Sequence, residues 1–186
     1  MKNFEDFVYH VVTNWRIDKK AILESAGLSG LSNREYGDIA EKYVKKKIEN
    51  LSPTYSAFLS NGSQSPADLI SYARRNGYWH IMLIQVKSSG TKDKIHELNQ
   101  EEKKVFDEFA KYVKKEFLEF PHFDSYADKP IIISTGYAGV LRIAGEILQH
   151  RLVNAKPFKI FKINMATLDM DKIKTTIRKA HTLNIK

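Results

Sequence analysis

Asp68, Gln85 and Lys87 are polar residues that border two apolar, β-prone runs, and oxygen ligands beside a lysine suit a divalent cation and a phosphate. An Asn-Gly pair between the runs predicts a tight hairpin turn. If residues 69–73 pair antiparallel with residues 78–87, the second strand ends where the first begins. Side chains two apart on a strand share a face. We therefore expect the three polar groups to converge at one end of the hairpin.

A fourth candidate, Glu41, comes from a helix upstream of the hairpin. Ser32 and Glu35 form a capping-box pattern, which predicts a helix that begins near Ser32 and ends near Asn50. Glu41 borders the apolar stripe of this helix. Its carboxylate is therefore either an ordinary surface group or a group held toward an interior site.

The remaining elements predict an α/β fold with a central mixed β-sheet flanked by helices. A second capping pattern, with Asn99 at the cap and Glu102 three residues later, opens a long helix that ends before Pro121. We expect, in chain order, helices at 3–15 and 18–26, the helix from Ser32, a strand at 54–59, the hairpin, the long helix, a buried strand at 131–135, a turn at Gly136 and Gly139 into a helix at 140–152, a strand at 158–163 and a helix at 171–181.

Charge and composition narrow the class of partner. The 186 residues carry 30 Lys and Arg against 22 Asp and Glu, a net charge of +8 that favours a polyanion such as nucleic acid. Residues 151–186 hold nine of the basic residues and two acids. There is no cysteine and the six histidines form no His-x-x-x-His pair, so any metal would be held by oxygen. Without a membrane-length apolar run or a signal-peptide pattern, we expect a soluble, intracellular protein of one domain.

The order of helix, three strands, helix and strand, with Pro66-x-Asp68 and Gln85-x-Lys87 on the hairpin, resembles the PD-(D/E)XK nuclease superfamily, whose core is αβββαβ. Within it the chain looks most like archaeal Holliday-junction resolvases and related small viral or plasmid nucleases. The match covers residues 32–135, which leaves a helical extension at 1–31 and a basic C-terminal extension at 136–186. Two departures are an inserted Ala67 and Gln85 in place of the second acid.

The resemblance implies a metal-dependent DNA endonuclease. Asp68, Gln85 and Glu41 would bind Mg²⁺ or Mn²⁺, and Lys87 would orient or deprotonate the attacking water or stabilise charge. It also implies a homodimer, because resolving a four-way junction needs paired cuts. We expect the predicted DNA contacts to come from basic side chains outside the site: Arg74, Arg75, Lys172, Lys174, Arg178 and Lys179.

Alternatives from other classes stay open. Gln85 favours a non-catalytic DNA-binding protein with a degenerate nuclease fold, since an amide adds no charge to a cation site. Residues 18–44 offer a weak helix-turn-helix pattern, which would indicate a regulator. An RNA-directed accessory protein would use the same basic surface. In the simplest alternative, Asp68 caps a turn while Gln85 and Lys87 lie at a solvated strand end.

Overall fold

The computed structural model describes residues 2–15, 32–60, 65–75, 78–119, 131–143, 149–163 and 169–183. These residues form an α/β fold with a five-stranded mixed sheet and four flanking α-helices, which confirms the coarse class. The helices are α1 (Lys2–Asn14), α2 (Ser32–Glu49), α3 (Gln100–Glu119) and α4 (Met170–Thr182). The strands are β1 (Tyr55–Leu59), β2 (Leu69–Arg75), β3 (Tyr78–Ser89), β4 (Ile131–Ile143) and β5 (Gln149–Ile163). None of these helices is long and apolar enough to cross a membrane.

The sheet follows chain order from β1 to β5. The first three strands pair antiparallel, and Arg75 pairs with Tyr78 across the predicted hairpin turn. β3 and β4 pair in parallel, which requires a long crossover, and α3 supplies it. β4 then pairs antiparallel with β5. The parallel pair brings β4 alongside the Gln85-x-Lys87 segment over its full length.

Alternating side chains of β3 build a core on each face of the sheet. Ile81 and Leu83 are fully buried in a cluster with residues of α1 and α3, including Phe109. Met82 and Ile84 are buried in a second cluster with residues of α2 and the C-terminal end of α4. The sheet is therefore covered by α1 and α3 on one face and by α2 and α4 on the other.

The predicted turn at Gly136 and helix at 140–152 are wrong, because β4 continues to Ile143 and β5 begins at Gln149. Both glycines lie inside β4 and permit close packing. A Cβ on Gly136 would lie 2.1 Å from the His181 ring, and one on Gly139 would lie 2.7 Å from Ile95. The strand register shifts beside each glycine, as at a β-bulge. Gly136 and Gly139 therefore lie where neighbouring residues approach too closely for a Cβ.

The other helices and strands predicted from the sequence are present in the structure or lie outside the described residues. The N-terminal helix, the helix from Ser32, the long helix before Pro121 and the last helix are all present. The predicted strand at 158–163 is the second half of β5. The predicted helix at 18–26, and with it most of the first half of the helix-turn-helix pattern, lies outside the described residues.

Candidate active site

The carboxylate of Asp68 is fixed between Gln85 and Lys87 by a backbone hydrogen bond. Asp68 immediately precedes β2, and its backbone N–H donates to the Ile84 carbonyl at 2.9 Å. The backbone N–H of Val86 in turn donates to Asp68 Oδ2 at 2.7 Å. Val86 is the residue between Gln85 and Lys87, so the expected convergence of the strand ends is present. The pairing register of the hairpin makes this contact, since Leu69 lies opposite Ile84.

Glu41 and Asp68 form a half-buried carboxylate pair. Burial raises the pKa of Glu41 to about 8, and the charges of Asp68 and then Asp38 add to the shift. Burial also raises the pKa of Asp68 to about 7, against the opposing effects of the Val86 hydrogen bond and the Lys87 charge. Two carboxylates that both resist ionisation near neutral pH are a favourable place for a cation, which would relieve their desolvation and repulsion.

Lys87 donates a hydrogen bond to a residue that the sequence patterns did not place at the site. Its Nζ lies 2.7 Å from Glu102 Oε1, and the two side chains are 34% and 27% exposed. The other Glu102 oxygen accepts from the Asn99 N–H at 2.8 Å, and the Glu102 N–H donates to Asn99 Oδ1 at 2.8 Å. The predicted capping box of α3 is therefore present. Its glutamate has a second partner, Lys87.

The candidate ligands approach from both faces of the sheet. Gln85 and Lys87 continue the face of β3 that α3 covers, whereas Glu41 belongs to α2 on the other face. Asp68 lies at the strand end between them and interacts electrostatically with both Glu41 and Lys87. Gln85 is half-buried and could add an amide oxygen.

This donor set fits Mg²⁺ or Mn²⁺, although it is small. Among the described residues there is no group of three or more His, Cys, Asp or Glu side chains that could hold a metal ion. Mg²⁺ commonly takes only one or two carboxylates and completes its shell with water and substrate phosphate. Two carboxylates and one amide oxygen are therefore donors of the kind that such an ion accepts, with lower charge than a three-acid site.

Arg74 and Arg75 lie at the opposite end of the hairpin from Asp68. Arg75 donates to the Tyr55 hydroxyl at 2.6 Å, and the Arg74 guanidinium lies 4.7 Å from the centre of the Trp79 ring. At ~3.3 Å per residue, the turn is ~30 Å from Lys87 along β3. The structure therefore does not bring these two predicted DNA contacts to the carboxylate pair.

The basic residues of α4 divide into two groups by position. Ile173 packs with Tyr78 and Ile132 at the end of the sheet remote from the candidate site. The cations near it have acidic neighbours, with Lys172 3.6 Å from Asp169 and Lys174 4.0 Å from Asp171. The exposed Arg178 and Lys179 lie nearer the other end of the helix, which packs in the same cluster as α2.

A scan of the sequence against protein-family models finds no match, and searches of the curated proteins and of the solved structures also find none. Function is therefore inferred from side-chain chemistry and contacts.

Proposed function

We propose that this chain is a divalent-cation-dependent DNA endonuclease that hydrolyses phosphodiester bonds. The observation that carries the proposal is the 2.7 Å hydrogen bond from Val86 N–H to Asp68 Oδ2, which joins the two halves of the Asp68…Gln85-x-Lys87 pattern. This hydrogen bond keeps a carboxylate oxygen beside Gln85 and Lys87, as a cation site at the end of the hairpin requires. The second support is Glu41, whose pKa is raised partly by the Asp68 charge.

Glu41 and Asp68 are the proposed cation ligands, with the Gln85 amide oxygen as a third. Mg²⁺ or Mn²⁺ bound there would polarise the scissile phosphate and lower the pKa of the attacking water. Half-burial of the carboxylates strengthens their electrostatic interaction with a bound ion, because solvent screening is weak there. Both carboxylates must lose their protons to act as ligands, which ties binding to pH.

Lys87 is proposed to stabilise negative charge on the phosphate. Its Nζ donates a hydrogen bond to Glu102 Oε1 at 2.7 Å, and a lysine ammonium group has three donors and no acceptor. Of the roles that the sequence left open, charge stabilisation and water orientation therefore fit better than proton abstraction. Glu102, anchored at the start of α3, is a positioning residue for Lys87.

The order of the described elements supports the likeness to the PD-(D/E)XK nucleases. From α2 to β4 the chain runs helix, three strands, helix, strand, which is the order of that core. Gln85 is the departure with a chemical consequence, because its neutral oxygen should weaken the affinity for Mg²⁺. We also propose, from this resemblance alone, that the substrate is branched DNA and that a homodimer makes paired cuts in it.

The test is incubation of the purified chain with labelled linear duplex, single-stranded and four-way-junction DNA, in Mg²⁺, Mn²⁺ or chelator. We expect metal-dependent cleavage of at least one substrate. Asp68→Ala should lower cleavage by at least about a hundredfold, as for loss of a central electrostatic group, and leave DNA binding nearly unchanged. Unchanged cleavage by Asp68→Ala would exclude this site as the active centre.

A non-catalytic DNA-binding protein is the second candidate. The observation that favours it is the neutral Gln85 beside only two candidate carboxylate ligands in the described part of the chain. It predicts salt-sensitive binding to the same DNA in chelator, with no cleavage in either metal. The same assay therefore separates the two functions.

A further inference from the structure

A basic and aromatic strip lies on the flank of α2 that is turned away from Glu41. Its members are Tyr43, Lys46, Lys47, Arg142 and His150. The Lys47 Nζ lies 5.7 Å from the Tyr43 ring centre, and the Tyr43 and His150 ring centres are 5.6 Å apart. Arg142 and His150 face each other across β4 and β5, which puts them on one side of the sheet. Lys46 is exposed, one turn from Tyr43.

The strip lies at the same end of the sheet as the candidate active site. Glu41 and Tyr43 are two residues apart on α2, so their side chains project about 200° apart around the helix axis. One helix diameter, ~10 Å, therefore separates the strip from the carboxylate pair. Along the sheet, Lys87 pairs with Gly139, and Arg142 follows three residues later, ~10 Å beyond.

Asp38, Glu41 and Glu49 project on the flank of α2 that is turned away from Tyr43 and Lys47. Asp38 and Glu41 interact electrostatically with each other, and Glu49 is paired with Lys45 at 2.5 Å. β4 and β5 contribute no Asp or Glu, and Arg142 is the basic residue that they add to the strip. The strip therefore combines cations from α2 and β4.

His150 contributes a neutral aromatic ring to the strip. Burial, and then the neighbouring Arg142 charge, lower the pKa of His150 below its ordinary value. The imidazole is therefore neutral at pH 7, and its contact with the Tyr43 ring does not bring a further positive charge next to Arg142. Lysine and arginine side chains contact the phosphates of a duplex, and a tyrosine hydroxyl can donate to phosphate or sugar oxygens beside them.

We propose that this basic strip binds the sugar-phosphate backbone of duplex DNA and directs it to the carboxylate pair. At ~3.4 Å per base pair, the ~10 Å separation places the gripped phosphates about three base pairs from the bond to be cleaved. The assignment of the duplex as a substrate rests on the proposed nuclease function. Binding by the strip does not need the cation, because lysine and arginine neutralise phosphates directly.

The test measures binding in chelator, where no cleavage occurs. Fluorescence anisotropy of a labelled duplex is followed against KCl concentration for the natural chain, Lys46→Gln/Lys47→Gln and Arg142→Gln. The control, Lys114→Gln/Lys115→Gln, removes an adjacent lysine pair from α3 on the other face of the sheet. Thermal unfolding checks that every variant is folded.

We expect the α2 pair to lower the slope of log affinity against log salt by about 1.8, and Arg142→Gln to lower it by about 0.9, since each phosphate contact contributes about 0.9. The α3 pair should leave the slope unchanged. The proposal would be overturned if both double lysine variants lost the same affinity for the duplex. It would also be overturned if Lys46→Gln/Lys47→Gln bound the duplex as tightly as the natural chain. If the strip variants lose binding but the natural chain never cleaves DNA in Mg²⁺ or Mn²⁺, the strip stands and the nuclease function fails.

Discussion

The folded chain disfavours the ionised form of Glu41 at neutral pH. Its folded-state pKa is about 8, well above the ordinary value of 4.5. Between these two values the folded state keeps a proton that the unfolded state has lost, so the free energy of unfolding falls as pH rises through the window. Such a residue lowers the stability of the chain without a cation, and a bound cation would offset that cost.

Replacing Glu41 by Gln should therefore stabilise the cation-free protein at pH 8. Each pKa unit corresponds to about 1.4 kcal/mol, and partial solvent access reduces the effect, so we expect the free energy of unfolding to rise by about 1 to 3 kcal/mol. At pH 4 the two proteins should be nearly equal, because Glu41 is then protonated in both states. Urea unfolding at both pH values measures this. If Glu41→Gln were less stable than the natural chain at pH 8, this would contradict the raised pKa of Glu41.

Glu102 has two roles that can be separated by substitution. Glu102→Gln keeps an oxygen for the Asn99 N–H but replaces the charged partner of Lys87 with an amide. We expect cleavage to fall by about 10- to 100-fold, as for residues that orient a catalytic group. Stability should change by less than about 1 kcal/mol, because the ion pair is partly exposed.

Asn99→Ala is the matched control for Glu102. It removes the cap of α3, which should cost about 1 kcal/mol of stability, but leaves the Lys87 to Glu102 ion pair in place. Cleavage by Asn99→Ala should therefore remain close to that of the natural chain. An equal loss of cleavage in both variants would show that Glu102 acts only through the helix.

At the scale of elements, most helices and the hairpin could be predicted because their signals are local. Capping patterns gave the starts of α2 and α3, and two apolar, β-prone runs separated by an Asn-Gly turn gave β2 and β3. The path from Gly136 to Leu152 could not be predicted in this way. Glycine is common in turns, and its use for close packing depends on His181 and Ile95, which are distant in sequence.

Gly136 should accordingly be intolerant of a side chain. A Cβ there would lie 2.1 Å from His181 Cδ2 and 2.7 Å from the Lys156 carbonyl oxygen, and the carbonyl belongs to a paired strand that cannot easily move. We expect Gly136→Ala to lower the free energy of unfolding by about 1 to 3 kcal/mol.

Gly37→Ala is the comparison, because a Cβ on Gly37, inside α2, has nothing within 4 Å. It should raise stability by up to about 1 kcal/mol through helix propensity. We therefore expect the two variants to shift the free energy of unfolding in opposite directions, which thermal or urea unfolding measures. Equal stability of Gly136→Ala and the natural chain would mean that α4 and β5 are not packed against β4 as described.

At the scale of the whole molecule, the candidate site exists only where four elements meet. Glu41 comes from α2, and Asp68 precedes β2. Lys87 lies near the end of β3, and Glu102 lies in the first turn of α3. The sequence predicted the first three, because helix borders and strand ends are visible in apolar patterns. It did not predict Glu102 as a partner of Lys87, since the capping pattern fully accounted for that residue. The basic strip was missed because β4 and β5 were not predicted beyond residue 135 and before residue 158.

The positive charge of the molecule is also distributed by the fold. Sequence reasoning assigned DNA contacts to the basic C-terminal segment, yet Lys172 and Lys174 lie toward the end of the sheet remote from Asp68. The β4 and β5 strands carry other basic residues to the near end, where Arg142 joins the lysines of α2. Counting charges along the chain could not distinguish these two ends.

Glu41 and Asp68 are proposed to hold a divalent cation, and calorimetric titration of Mn²⁺ at pH 8 measures this binding. The natural chain and the control Glu108→Gln, which alters only a surface pair on α3, should bind Mn²⁺ equally. Asp68→Asn should bind at least about tenfold more weakly, because it loses a charged ligand. Equal binding by Asp68→Asn, or no binding by the natural chain at millimolar Mn²⁺, would contradict the account.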